Sequence, residues 1–87
     1  FNPTTRINFD LSKDGHVTIM IYNVLGQKVK TLYNHEYFEA GYKTVTWNGR
    51  NDSGLEVSSG IYFLRVIYRM SENNKVFTEI KKTMVLK

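Results

Sequence analysis

Apolar side chains recur at every second position through most of this sequence, the mark of strands with one buried face. Ile7, Phe9 and Leu11 alternate with Arg6, Asn8 and Asp10. Val17, Ile19 and Ile21 face one way along a second run, and Thr18, Met20 and Tyr22 the other. Lys28 to Tyr33 reads as a third strand, and Lys43 to Asn48 as another with Val45 and Trp47 on one face. Ile61 to Met70 is the strongest run, and Val76 to Leu86 is the last. Helical periodicity appears nowhere at useful length.

Turn residues punctuate these runs. They are Ser12-Lys13-Asp14-Gly15, whose Asp-Gly is a hairpin dipeptide, Asn23 to Gly26, the polar stretch Asn48 to Gly54, Ser58 to Gly60 and Ser71 to Asn74. Asn34 to Ala40 fits either a short edge strand or an irregular crossover. Short strands with turns about every ten residues predict an all-β chain, an immunoglobulin-like antiparallel β-sandwich of about seven strands. Trp47 is its natural core plug.

A chain of 87 residues supports one domain, here residues 1–87. At this size a cleft competes with the core for side chains. The absence of Cys removes disulfides, thiolate metal sites and a cysteine nucleophile together. His16 and His35 fall on separate elements without a companion at ligand spacing, whereas zinc needs three or four ligands. No nucleophile elbow, phosphate loop or paired-carboxylate constellation is present. An enzyme is not expected, nor a metal or cofactor. The longest apolar run, Val17 to Leu25, is interrupted by Thr18, Tyr22 and Asn23, so no membrane-spanning segment is expected. Asn48 to Gly54 has the oxygens of a calcium loop but only one carboxylate, Asp52, and such residues more often build Asx-turns.

Charge is unevenly placed. Residues 1–60 hold six basic and six acidic groups; residues 61–87 hold six basic against Glu72 and Glu79, the whole excess of +4. A lysine-guarded sheet edge explains this, and so does an acidic partner. On Ile61 to Met70, Phe63, Arg65, Ile67 and Arg69 share one face, opposite Tyr62, Leu64, Val66 and Tyr68. Arginine beside aromatic residues can stack bases. The loops supply no basic groove, so nucleic acid is not expected, and these four residues stand as a candidate face for a protein partner.

Five segments, in order, carry a family resemblance: FNPTTRINFDL, VTIMIYNVLGQKV, AGYKTVTWNGRNDSG, SGIYFLRV and KKTMVLK. Over essentially the whole chain they resemble the C-terminal sorting domain (type A) of the type IX secretion system. They are also similar to the related immunoglobulin-like domain of flagellar hook-capping proteins. The resemblance implies a module at the C-terminus of a larger secreted protein, excised here without its preceding Pro-Asn-Pro. It implies outer-membrane secretion and processing machinery as partners, an upstream cargo domain, and a secreted or cell-surface location reached through the periplasm. Family features fall on Gly26, on Gly60 and Tyr62, and on the closing Lys82, Val85 and Lys87. Thr83 is one residue more than the common terminal pattern. Two functions follow from the resemblance: a sorting signal read through the terminal strand, or a structural accessory or hook-capping type assembly domain.

Overall fold

A computed structural model describes residues 4–87, so the opening Phe1-Asn2-Pro3 of the resemblance lies outside the described residues. The elements are β1 (Thr5–Leu11), β2 (Gly15–Tyr22), β3 (Lys28–Phe38), β4 (Gly41–Trp47), β5 (Gly60–Met70) and β6 (Val76–Val85). β1 and β4 pair as a two-stranded sheet. It faces a four-stranded sheet ordered β3-β2-β5-β6, and every pairing is antiparallel. The chain is an immunoglobulin-like sandwich, as its alternation predicts.

The described strands number six, not about seven. The difference lies at Asn34 to Ala40, which forms neither a separate edge strand nor a crossover. β3 runs on through it to Phe38. His35 takes a left-handed φ of 55° there, and the β2–β3 register shifts between Val17 and Ile19. A bulge of this kind absorbs an extra residue without ending the strand.

Asp14-Gly15 is a turn but not a hairpin. β1 pairs with β4, and β2 with β3 and β5, so the turn carries the chain from one sheet to the other. Burial explains why. Ile7, Phe9 and Leu11 of β1 and Val17, Ile19 and Ile21 of β2 are all buried, and two such apolar rows bury each other best across a sandwich.

The core joins these rows to Val45, Trp47, Val57, Leu64, Val66 and Val85, with Trp47, Ile19, Ile21, Leu64 and Val17 wholly inaccessible. Side-chain oxygens of the 48–54 loop serve its own backbone. Asn48 Oδ1 accepts from Arg50 N, and Asn51 Oδ1 accepts from Ser53 N and Leu55 N. Asp52 Oδ1 accepts from Thr31 N at 3.1 Å and so fastens the loop to β3. These are the Asx-turns of the two readings.

At the other end of the sandwich, Asp14 clamps three segments. Its carboxylate accepts from Ala40 N at 2.7 Å and from the Tyr37 hydroxyl at 3.1 Å, and its carbonyl accepts from Ser71 N. The Ala40 amide first, then the Tyr37 hydroxyl, holds the Asp14 carboxyl below its ordinary pKa. A carboxyl lowered in the folded state contributes stability above its unfolded pKa and loses it as pH falls through the folded one. We therefore expect Asp14→Ala to be destabilising at pH 7 and to flatten the acid limb below about pH 3.9, read by denaturant midpoints across pH.

Candidate functional site

Strand register sets a grid of side chains on the outward face of the four-stranded sheet. Across β2, β5 and β6 its rows are Tyr22–Phe63–Lys82, Met20–Arg65–Ile80, Thr18–Ile67–Thr78 and His16–Arg69–Val76. Phe63, Arg65, Ile67 and Arg69 therefore do share one face, and that face points away from the core. Phe63 and Ile67 are half-buried by their neighbours, while Arg65 and Arg69 are exposed.

The upper part of this grid forms a recess of about 650 Å³ lined by Tyr22, Asn23, Val24, Gly26, Phe63, Arg65 and Ile80. The Arg65 guanidinium carbon stands 6.0 Å from the Tyr22 ring centroid, at cation–π range. The Tyr22 hydroxyl donates to Met20 Sδ at 3.3 Å. Ile80 is 59% exposed and Val24 67%. An arginine set among aromatic and aliphatic side chains suits an apolar residue flanked by a carboxylate.

Gly26 shapes the rim. It has φ 78° and donates its N–H to the Asn23 carbonyl, while Asn23 Oδ1 accepts from Leu25 N and Gln27 N. A Cβ on Gly26 would meet nothing within 4 Å, so backbone conformation, not space, selects glycine there.

Of the residues singled out by resemblance, Gly60, Tyr62, Val85 and Lys87 meet where β5 begins and β6 ends, while Gly26 and Lys82 lie apart from them toward the outward face. Tyr62 and Val85 belong to the core, at 5% and 1% exposure. Tyr62 packs edge-on against Trp47 and donates its hydroxyl to the Ser58 carbonyl at 2.7 Å. Gly60 pairs with Val85 at the start of β5. Lys82 lies on the outward grid beside Phe63, and Lys87 donates its backbone N–H to Ser59 Oγ at the loop end. Tyr62→Phe should cost about 1 kcal/mol in chemical denaturation, the net worth of one hydrogen bond, and leave the outward face unchanged.

Alternation along each strand shows which side chains face outward. It does not show that Tyr22, Met20 and Ile80 surround Arg65, because that needs the order β2-β5-β6. Nor does it show that His16 and His35, on separate elements, stack with ring centroids 4.5 Å apart. Two imidazoles remain short of a metal set, and among the described residues no group of three or more His, Cys, Asp or Glu is placed to hold an ion.

Two facing antiparallel sheets, with a Tyr near the start of β5 bonded back to the preceding loop, define an immunoglobulin-like domain with a tyrosine corner. Residues 1–72 match the family model described as FlgD Ig-like domain, and the chain belongs to that family. The match ends in the turn between β5 and β6. The chain also superposes on the crystal structure of FlgD from P. aeruginosa with a TM-score of 0.74 at 19% identity. That alignment covers 94% of this chain and 61% of the FlgD chain, so this chain spans about three-fifths of the length of that chain. No curated protein matches.

Proposed function

We propose that this domain is a non-catalytic assembly module that docks its parent protein onto a protein partner, in the manner of a hook-capping type domain. Membership of the FlgD Ig-like family favours this reading over a sorting signal. The observation that carries it is the uncovered recess in which Tyr22, Phe63, Val24 and Ile80 surround Arg65. An arginine with aromatic neighbours is the composition of an interface centre. The partner is a protein segment presenting an apolar side chain beside a carboxylate, at an extracytoplasmic surface.

The pair Arg65→Glu with Ile80→Asp tests this in the parent protein. The fold should survive, since neither side chain enters the core, and the parent protein should separate from its assembly on purification. A folded double variant that stays assembled would sink the proposal.

A second reading keeps the sorting function, with export and processing machinery as partner. It is favoured by the position of β6 at the sheet edge, with Lys82 and Lys87 both exposed. Truncation is a poor test of it, because the tail contains the core residue Val85. Substituting Lys82 and Lys87 by Glu leaves Val85 in place. Export blocked in that variant with assembly contacts intact would favour sorting over docking.

A further inference from the structure

The smaller sheet is too narrow to cover the larger one. β1 and β4 face four strands, and β6 is exposed from Val76 to Ile80, reaching the core only at Val85. The opposite flank closes itself: Val29, Leu32, Tyr33 and Phe38 of β3 pack on the core. The 48–57 loop fastens to that flank through the Asp52 amide, which donates to the Val29 carbonyl. From Val76 to Ile80, β6 has no such cover among the described residues. Register turns Phe77, Glu79, Lys81 and Thr83 inward with Tyr68, Val66, Leu64 and Tyr62, yet Phe77 is 51% exposed.

A trough therefore runs between β1 and β6. One recess of about 310 Å³ lies among Phe9, Leu11, Tyr68 and Phe77. The next, of about 290 Å³, lies among Ile7, Leu64, Lys81 and Thr83. Among the described residues, the edge of β1 bordering the trough has no paired strand. Unpaired strand edges accept further strands, with backbone bonds giving affinity and pockets reading alternate side chains.

We propose that this trough is a strand-acceptor site, in which an extended segment of a partner protein pairs antiparallel with β1 and covers β6. Alternate side chains of the visitor drop toward Phe77 and into the two recesses, so the positions beside Phe9 and Phe77 are apolar and the one over the Glu79–Lys81 ion pair is small. The others lie beside the exposed row Arg6, Asn8 and Asp10 of β1. Opposite charges across a strand pair stabilise it and like charges destabilise it. The visitor thus carries a basic residue near its N-terminal end, opposite Asp10, and an acidic residue near its C-terminal end, opposite Arg6. A second copy of this chain has the right charge order in its own β1. Its four-stranded sheet would, however, need the space that β6 occupies beneath the added strand, and a single extended segment does not.

The probe is the fluorescein-labelled peptide Val-Lys-Val-Thr-Val-Glu-Val, titrated against the 87-residue chain by fluorescence anisotropy. Saturable binding is expected, with new amide protection on β1. Methylating the peptide nitrogens that face β1 should weaken it at least about tenfold, because strand hydrogen bonds are lost while side chains stay. Asp10→Lys should weaken this peptide roughly fivefold and favour one with Lys and Glu exchanged, with Trp47 emission reporting an intact fold. Absence of saturation up to about 1 mM, where binding is worth only about 4 kcal/mol, would overturn the proposal. Equal affinity of the methylated peptide, or protection confined to β4 or β6, would do the same. A concentration-dependent dimer that protects β1 without peptide would replace the visitor by a second copy.

Discussion

Replacing Trp47 by alanine should remove about 3–5 kcal/mol, a large fraction of the roughly 5–15 kcal/mol that holds a domain folded. The ring is wholly inaccessible and packs edge-on against Tyr62 at 5.4 Å between centroids. Its Nε1 donates to the Arg50 carbonyl at 2.9 Å, which ties the long loop to the end of β4. Alanine therefore opens a cavity and frees the loop at once. Phenylalanine refills most of the volume but leaves the Arg50 carbonyl without its donor, at a cost of about 1–3 kcal/mol. Denaturant titration followed by far-ultraviolet circular dichroism checks both. A Trp47→Ala variant within about 1 kcal/mol of the parent would mean the core is not organised around this ring.

Gly15→Ala should be nearly as damaging despite adding a single methyl group. Gly15 is buried at the start of β2, paired with Met70 of β5. A Cβ there would strike the Arg69 carbonyl oxygen and come within 2.6 Å of Tyr68 Cε1. Backbone on one side cannot yield. On the other, the Tyr68 hydroxyl is fixed at both ends of Lys13, donating to its carbonyl at 2.5 Å and accepting from its N–H at 3.2 Å. Overpacking of this kind costs about 1–3 kcal/mol, and losing the Tyr68–Lys13 link adds to it. Gly26 provides the contrast. Its cost on substitution comes from the left-handed backbone, about 1–2 kcal/mol, and asparagine should recover part of it there. Asparagine at position 15 should recover nothing.

These two glycines mark what the sequence discloses and what it withholds. Gly26 is legible, because a glycine after Asn-Val-Leu ends a strand and needs φ above zero. Gly15 looks like the second half of a hairpin dipeptide. Its actual constraint, the pressure of β5 against β2, comes from pairing between residues far apart in the chain. The same division runs through the fold. Alternation separates the two faces of β2 and β5 and puts Trp47 inside, but it does not say which face of β5 is buried. It does not show that β3 continues past Asn34 to Phe38, because one left-handed residue, His35, carries that continuation. The candidate face is legible as a parity of β5, while the Tyr22 and Ile80 that frame Arg65 depend on strand order. The trough beside β6 is hidden for the same reason: a short sheet over a long one is a property of pairing, not of composition.

Site-specific photo-crosslinking in the parent protein tests the docking claim most directly. A photoreactive residue at Ile80, on the outward grid, is compared with one at Tyr42, exposed on the opposite sheet. Docking through the outward face predicts one discrete protein adduct from position 80, lost with Arg65→Glu, and none from position 42. Adducts of equal yield from both positions, or an adduct from position 80 that survives Arg65→Glu, would contradict it.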